Sequence, residues 1–166
     1  MKYTSFIRGI NVSGKNIVKM ADFRLELEKA GLEDVQTYIQ SGNVVSNSSN
    51  SKSKSDKESE EVSKTIVGVL KDHFDVNAPV MTMDLDYLKK VVASNPYKNE
   101  DPKKTAIGFL NKTPEMIDFP GIKDEKYAIG DQCIYLFYPS GMGKSKLSNA
   151  VIEKKMGVVS TMRNLN

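Results

Sequence analysis

Residue types that carry metal or nucleophile chemistry are scarce in this sequence. Cys133 is the single cysteine and His73 the single histidine among 166 residues. A lone cysteine excludes an internal disulfide, and the paired Cys and His spacings of zinc sites are missing. We expect Cys133 to be a buried thiol in a strand and His73 to lie at the end of an amphipathic helix. No metal site and no cofactor are therefore predicted.

Long apolar runs are also lacking. No segment approaches the roughly 20 apolar residues that span a bilayer. Residues 1–8 lack the apolar core and the small-residue cleavage site of a signal peptide. An apolar content of 39% with 27% charged residues is typical of globular proteins. These absences predict a cytoplasmic protein without a membrane partner.

One stretch has no apolar residue at all. It runs from Ser46 to Glu61, and six of the ten residues from Ser46 to Ser55 are serine. Such a composition cannot bury enough apolar surface to offset the entropy lost on ordering. We predict a flexible loop at residues 46–57 that leads into a helix after Asp56.

The first half of the chain alternates strand and helix patterns. Strands are predicted at 3–8, 35–40, 43–45 and 79–83, and apolar residues three or four positions apart predict helices over 20–30 and 62–74. The order β-α-β-β-α-β is the split βαβ pattern of ferredoxin-like domains. We therefore predict a first ferredoxin-like unit at residues 1–84.

A similar pattern returns after a polar connector. Asp84 is a candidate cap for a linking helix, and residues 85–104 are predicted to form this helix and the connector. Strands are then predicted at 105–110, 126–129, 132–138 and 158–162, with a helical turn at 114–118 and a helix at 145–156. Residues 105–166 are predicted to be a second ferredoxin-like unit. The fold class is therefore α+β, with two tandem ferredoxin-like units.

Positive charge is concentrated toward the C-terminus. Residues 139–166 contain five basic residues and one acidic residue, so this region has a net charge of +4, against +3 for the whole chain. A basic region favours an anionic partner. The alternative is a solvated helix face, which we expect for Lys154 and Lys155.

The stronger candidate for an anion site is the loop 138–145, between a predicted strand and a predicted helix. Its Gly143-Lys144-Ser145 ending matches the second half of a phosphate-binding P-loop, but Tyr138 occupies a position that requires glycine. Glycines expose backbone N–H groups, and a lysine and a helix N-terminus add positive potential. The candidate ligand-binding residues are Gly141, Gly143, Lys144 and Ser145. The alternative is a plain turn with Ser145 as the helix N-cap.

The loop 8–16 is the other candidate, and it also follows a predicted strand. Its candidate ligand-binding residues are Arg8, Asn11, Gly14, Lys15 and Asn16. Arginine forks phosphate or carboxylate oxygens, and asparagine amides add neutral donors. If the two loops meet in space, Arg163 joins Arg8, Lys15 and Lys144 in one pocket that lacks a compensating acid. The alternative is a long connection between a strand and a helix.

Several of these segments together resemble a known family. They are Ile7–Asn16, Thr37–Val45, Tyr138–Gly143, Ser145–Leu147 and the pair Arg163-Asn164. The chain resembles an uncharacterised bacterial family, domain of unknown function number 1697, and departs from its pattern at Ser13, Ser46 and Leu165. The resemblance implies tandem ferredoxin-like plaits and brings no established activity.

Three classes of function remain open. A binding module for a small anionic or phosphorylated ligand ranks first, because neither loop contains a carboxylate pair for acid–base catalysis. The second class is an enzyme acting on a phosphorylated or nucleotide substrate. The third is single-stranded nucleic-acid binding on an open sheet face, where Tyr135 and Phe137 share one side of a strand, although the RNA-binding aromatic motif is absent. The same two side chains also suit a core contact or a homo-oligomer interface.

Overall fold

The fold is mixed α+β, with helices and strands distributed over two parts of the chain. The structure, a computed structural model, describes residues 1–48, 55–115 and 117–164. Within these residues there are two four-stranded antiparallel sheets and four α-helices. The chain divides into two compact units, residues 1–88 and 89–166. None of the helices in the described ranges is long and apolar enough to cross a membrane.

The first unit is built on a sheet with the strand order β2-β3-β1-β4. Its elements are β1 (Lys2–Ile7), α1 (Met20–Lys29), β2 (Glu33–Tyr38), β3 (Asn43–Asn47), α2 (Ser55–Phe74) and β4 (Val80–Asp84), followed by α3 (Leu85–Ala93), which crosses the division between the units. Strand β1 is central, because it pairs with both β3 and β4. Since β1 and β2 both run antiparallel to β3, their carboxyl ends lie at the same end of the sheet.

Helices α1 and α2 form a core with this sheet through apolar residues spaced three or four apart. Phe23 and Leu27 of α1 and Ile66 of α2 are fully buried in one cluster with Tyr3 of β1. The rings of Phe23 and Phe74 meet edge to face, with their centroids 5.7 Å apart. The predicted helical stripes are therefore confirmed. Asp84 also acts as predicted, because its Oδ1 accepts a hydrogen bond from the Tyr87 backbone N–H at 2.6 Å in the first turn of α3.

The predicted loop 46–57 is wrong at both of its ends. Ser46 belongs to β3, where it pairs with Tyr3, and residues 55–57 belong to α2. The helix extends this far because Glu58 is buried and accepts a hydrogen bond from the Tyr3 hydroxyl at 2.7 Å. A polar side chain thus anchors a segment that has no apolar residue. The remainder of the predicted loop, residues 49–54, lies outside the described residues.

The second unit is built on a sheet with the strand order β6-β7-β5-β8. Its strands are β5 (Thr105–Leu110), β6 (Lys126–Gly130), β7 (Cys133–Phe137) and β8 (Ser160–Asn164), and they are accompanied by α4 (Asn149–Met156) and by 3-10 turns at Pro102–Lys104 and Met142–Lys144. Every residue of the central strand β5 is buried. The predicted hairpin of β6 and β7 is confirmed. Cys133 is a fully buried thiol, as predicted.

Two predicted helical segments differ from the structure. The helical turn expected at 114–118 is absent from its described residues, and Ile117, Phe119 and Ile122 instead pack irregularly on the core of the unit. The helix expected at 145–156 begins only at Asn149, because Ser148 caps it by accepting a hydrogen bond from the Val151 backbone N–H at 3.4 Å. The loop 138–145 therefore does not lead directly into a helix.

Gly42 offers a test of the close packing between the β2–β3 turn and β1. It has a φ of 74°, and a Cβ atom there would lie 2.6 Å from the Ile7 carbonyl oxygen. We expect Gly42→Ala to lower the free energy of unfolding by roughly 1–3 kcal/mol, because the backbone is left-handed and the space is occupied. The measurement is urea denaturation followed by circular dichroism.

Gly68→Ala is the matched control for this substitution. Gly68 lies inside α2, and a Cβ atom added there would meet no atom within 4 Å beyond its own surroundings in the helix. The same methyl group should there stabilise the protein by roughly 0.5–1 kcal/mol, because glycine is unfavourable inside a helix. Equal stability of the two variants would contradict the packing described for Gly42.

Candidate ligand site

A small pocket lies in the second unit and includes part of the predicted loop 138–145. Its volume is about 210 Å³. The lining residues are Lys123, Asp124, Glu125, Tyr138, Ser140, Gly141, Lys144 and Ser145. Three of the four candidate residues of this loop, Gly141, Lys144 and Ser145, line the pocket, and Gly143 does not. The opposite wall is the segment 123–125 directly before β6.

The loop is shaped by hydrogen bonds between its own backbone groups. The N–H of Gly141 donates to the carbonyl of Tyr138 at 2.8 Å, and the N–H groups of Lys144 and Ser145 donate to the carbonyls of Gly141 and Met142 at 3.3 and 3.2 Å. Gly141 has a φ of 89°, a conformation that favours glycine. Because these three N–H groups are used inside the loop, they do not form the phosphate cradle expected of a P-loop.

Two serines connect this loop to the segment 123–125. Ser140 Oγ donates to Asp124 Oδ2 at 2.6 Å, and Ser145 Oγ donates to Glu125 Oε1 at 2.5 Å. Ser145 Oγ also accepts a hydrogen bond from the backbone N–H of Leu147 at 2.9 Å. Ser145 is therefore not the N-cap of α4. It joins the two walls of the pocket.

Glu125 is held in its ionised form. Its carboxylate accepts hydrogen bonds from the Ser145 hydroxyl and from the Lys123 backbone N–H, and these lower its pKa to about 2. The pKa of Tyr138 is shifted in the opposite direction, because burial raises the pKa of the phenol. The Tyr138 hydroxyl donates to the Leu147 carbonyl at 2.9 Å. Near neutral pH the pocket thus contains a stable carboxylate and a neutral tyrosine.

The charges of the pocket balance one another. Lys123 and Lys144 contribute two positive charges, and Asp124 and Glu125 contribute two negative charges. A cationic cluster without a compensating acid was expected only if the two loops meet in space, whereas the pocket beside the loop 138–145 contains two acids. Asp124 and Glu125 were not among the predicted site residues. They lie before β6, and the pairing of β6 with β7 brings them beside the loop. The sequence feature that could have indicated these acids is the charged run Lys123-Asp124-Glu125 directly before a predicted strand.

Arg163 lies on β8 and is not among the residues that line this pocket. Its Nη1 donates to Thr161 Oγ1 at 2.8 Å and to the Met162 carbonyl at 3.0 Å. Burial lowers the pKa of its guanidinium group. Arg163 therefore supports β8 locally.

The loop 8–16 of the first unit is a short hairpin closed by its own hydrogen bonds. Asn11 accepts a hydrogen bond from the Val18 backbone N–H at 2.8 Å through Oδ1 and donates from Nδ2 to the Val18 carbonyl at 3.0 Å. Asn16 Nδ2 donates to the Gly9 carbonyl at 3.0 Å. Both amides, expected to be ligand donors, are thus engaged in closing the loop. Positive φ angles at Asn11, Gly14 and Asn16 fit the residue types found there.

Arg8 and Lys15, the cations of this hairpin, have different settings. Arg8 is half-buried, and its backbone N–H donates to the Pro79 carbonyl at 3.0 Å. Lys15 is exposed near the tip, where its N–H donates to the Val12 carbonyl at 2.9 Å. Exposed apolar side chains surround this end of the sheet at Val12, Ile17, Tyr38 and Ile39. The hairpin therefore lies beside an exposed apolar surface.

Tyr135 and Phe137 of β7 do not form an open aromatic face. Tyr135 is buried, and its hydroxyl donates to the Val91 carbonyl of α3 at 3.0 Å. Phe137 stacks on Tyr97 with ring centroids 5.9 Å apart. Both side chains are engaged in packing within the second unit, so they are not available to stack on bases.

No cluster of three or more His, Cys, Asp or Glu side chains suited to a metal ion occurs in the described ranges. His73 lies in the last turn of α2, as predicted, and its Nδ1 is 3.4 Å from Glu26 Oε2 of α1. The single histidine is therefore a helix-end contact.

The fold and the pocket define a two-unit α+β protein with a small charged site in its second unit. A family model described as protein of unknown function (DUF1697) matches residues 1–135, which is most of the chain, and the chain belongs to this family. The resemblance noted from the sequence motifs is thus confirmed. The matched range includes the pocket wall 123–125 and ends before the loop 138–145.

A solved structure shares this fold. It is the conserved bacterial protein SP0830 from Streptococcus pneumoniae, which is similar with a TM-score of 0.68 and 24% sequence identity, over 99% of this chain and 92% of that protein. At this identity the likeness concerns the fold alone. No curated protein matches the chain.

The bond between Ser145 and Glu125 predicts a measurable acid–base effect. Glu125 should stay ionised down to a pH of about 2, and Ser145→Ala should raise its pKa toward the ordinary value, because the largest cause of the lowering is lost. The measurement is a titration of the side-chain carboxyl carbon by NMR. Ser148→Ala, which removes the cap of α4, should leave the pKa of Glu125 unchanged. A wild-type pKa near 4.5 would contradict the described contact.

Proposed function

We propose that this protein is a binding module for a small anionic ligand, with a phosphate group as the favoured anion, held in the pocket of the second unit. The observation that carries the proposal is the pairing of Lys123 and Lys144 in a pocket of about 210 Å³. Neither lysine forms a salt bridge with any other residue in the described ranges. Their ammonium groups are therefore available to an anion.

The size of the pocket supports a ligand smaller than a nucleotide. Pockets for drug-sized molecules measure roughly 300–1,000 Å³, and this one is below that range at about 210 Å³. The nucleotide substrate of the alternative enzyme hypothesis is thus disfavoured, and a short phosphate ester is favoured.

The titration of the pocket supports binding over acid–base catalysis. A general acid or base works best when its pKa lies near the operating pH. The pKa of Glu125 is lowered to about 2, and the pKa of Tyr138 is raised by burial. Glu125 therefore does not deliver a proton near neutral pH, and Tyr138 does not accept one. A binding role requires no proton transfer by Glu125 or Tyr138.

Packing on the sheet disfavours the nucleic-acid alternative. Base stacking on a sheet requires exposed aromatic rings. Tyr135 is engaged with the Val91 carbonyl, and Phe137 is stacked on Tyr97. The proposal is therefore limited to a small-molecule ligand.

We also infer that both units are ferredoxin-like plaits, as the sequence pattern predicted. The first unit has the element order β-α-β-β-α-β and the sheet order β2-β3-β1-β4, which suit that fold. The second unit has the equivalent sheet order, but residues 111–125 stand where a first helix is expected. This departure from the first unit is consistent with the proposed site, because the end of the same segment supplies the pocket residues Lys123, Asp124 and Glu125.

Lys144→Ala tests the proposed anion contact. The probe is propyl phosphate, and its affinity is measured by isothermal titration calorimetry at low and at moderate salt. We expect the variant to bind about ten-fold more weakly, since a hydrogen bond to a charged group contributes roughly 1.5 kcal/mol. Binding to the wild type should also weaken as salt rises, because screening reduces the attraction of an exposed lysine.

Lys146→Ala is the matched control, since it removes the same charge two residues away. Lys146 is exposed, like Lys144, but it does not line the pocket. We expect this variant to retain the wild-type affinity apart from a small effect of net charge. Two outcomes would overturn the proposal: no binding of the probe to wild type, or equal loss in both variants.

A further inference from the structure

The two carboxylates of the pocket differ in how many of their oxygens are already used. Both oxygens of Glu125 accept hydrogen bonds, Oε1 from the Ser145 hydroxyl and Oε2 from the Lys123 backbone N–H at 2.6 Å. Asp124 accepts the Ser140 hydroxyl on Oδ2 at 2.6 Å. Its Oδ1 accepts no hydrogen bond from the residues that the structure describes. Asp124 therefore has an oxygen without a partner to offer to a ligand, whereas both oxygens of Glu125 already accept one hydrogen bond each.

Asp124 is also suited to this role by its position. Its side chain is exposed, and it lines the same pocket as Lys123 and Lys144, which form no salt bridge in the described ranges. Its bond to Ser140 restrains the carboxylate, so less rotational freedom is lost when a ligand binds. The pocket thus combines positive charge with a carboxylate that is restrained and only partly used.

We infer, on the basis of the function proposed above, that the ligand carries an ammonium group as well as the anion, and that Asp124 recognises this ammonium group. The anionic end of the ligand lies at Lys144 and Lys123, and the ammonium end donates to Asp124 Oδ1. A ligand with only an anion would bring a negative charge near Asp124 and leave Asp124 Oδ1 without a hydrogen-bond donor. The chemical class is therefore a short zwitterionic phosphate ester.

Glu125 has a different part in this arrangement. Because it binds Ser145 and the Lys123 N–H, it positions the two walls of the pocket relative to each other. It contributes to affinity for any ligand of the pocket and does not select the ammonium group. Asp124 is the residue that determines specificity.

Two probes of equal length test the inference directly. They are 2-aminoethyl phosphate and propyl phosphate, which differ in having an ammonium group or a methyl group at one end. Calorimetry on the full chain should show that wild type binds 2-aminoethyl phosphate about ten-fold more tightly, as expected for one charge-assisted hydrogen bond. Asp124→Asn should reduce this preference to about two-fold or less, and it should raise the affinity for propyl phosphate, because a negative charge beside the anion is removed.

Two further variants separate selection from positioning. Glu115→Gln removes an exposed negative charge of the same unit outside the pocket, and it should preserve the preference. Glu125→Gln should weaken both probes by a similar factor and so keep their ratio. Circular dichroism on each variant confirms that the fold is retained.

Each result decides between the two proposals. Equal binding of both probes to wild type would overturn the role of the ammonium group and leave the proposed anion-binding function standing. Binding of neither probe would overturn both. An unchanged preference in Asp124→Asn would overturn the assignment of Asp124.

Discussion

The candidate site depends on the two hydrogen bonds of the Ser145 hydroxyl group. It donates to the Glu125 carboxylate and accepts from the Leu147 backbone N–H, so one side chain fixes the loop 138–145 and ties it to the segment before β6. Ser140 makes a parallel contact with Asp124. Without these two bonds, no side-chain hydrogen bond among the described residues would join the two walls. The pocket exists because two short polar side chains hold two irregular segments together.

One wall of the pocket belongs to a connection that differs between the two units. In the first unit, α1 follows β1 and packs its apolar stripe on the sheet. In the second unit, residues 111–125 occupy the same place in the chain without forming a helix in their described part. Their apolar side chains still contribute to the core, and their charged end is left to line a cavity. The loss of regular structure in one connection thus frees backbone and side chains to build a site.

The sequence predicted most elements because their apolar spacing is local information. Phe23 and Leu27 mark α1, and the apolar run after Cys133 marks β7. Prediction from the sequence failed where a residue distant in the chain determines where a helix begins. Ser145 and Ser148 are the same residue type, and serine is a favoured N-cap. The Ser145 hydroxyl donates to Glu125 instead, and Ser148 caps α4. The buried bond from Tyr3 to Glu58 likewise extends α2 into a segment with no apolar residue. Gly141, Lys144 and Ser145 of the candidate loop line the pocket, whereas the acids opposite them could not be paired with the loop from spacing alone.

The most direct test of the account is a map of backbone amide shifts by NMR during titration with 2-aminoethyl phosphate. The pocket of the second unit predicts that shifts concentrate at residues 123–125 and 140–145 and saturate with one affinity. The hairpin at 8–16 should remain unperturbed, because its amides close the loop internally. Shifts confined to the hairpin, or no saturable shifts at all, would contradict the account.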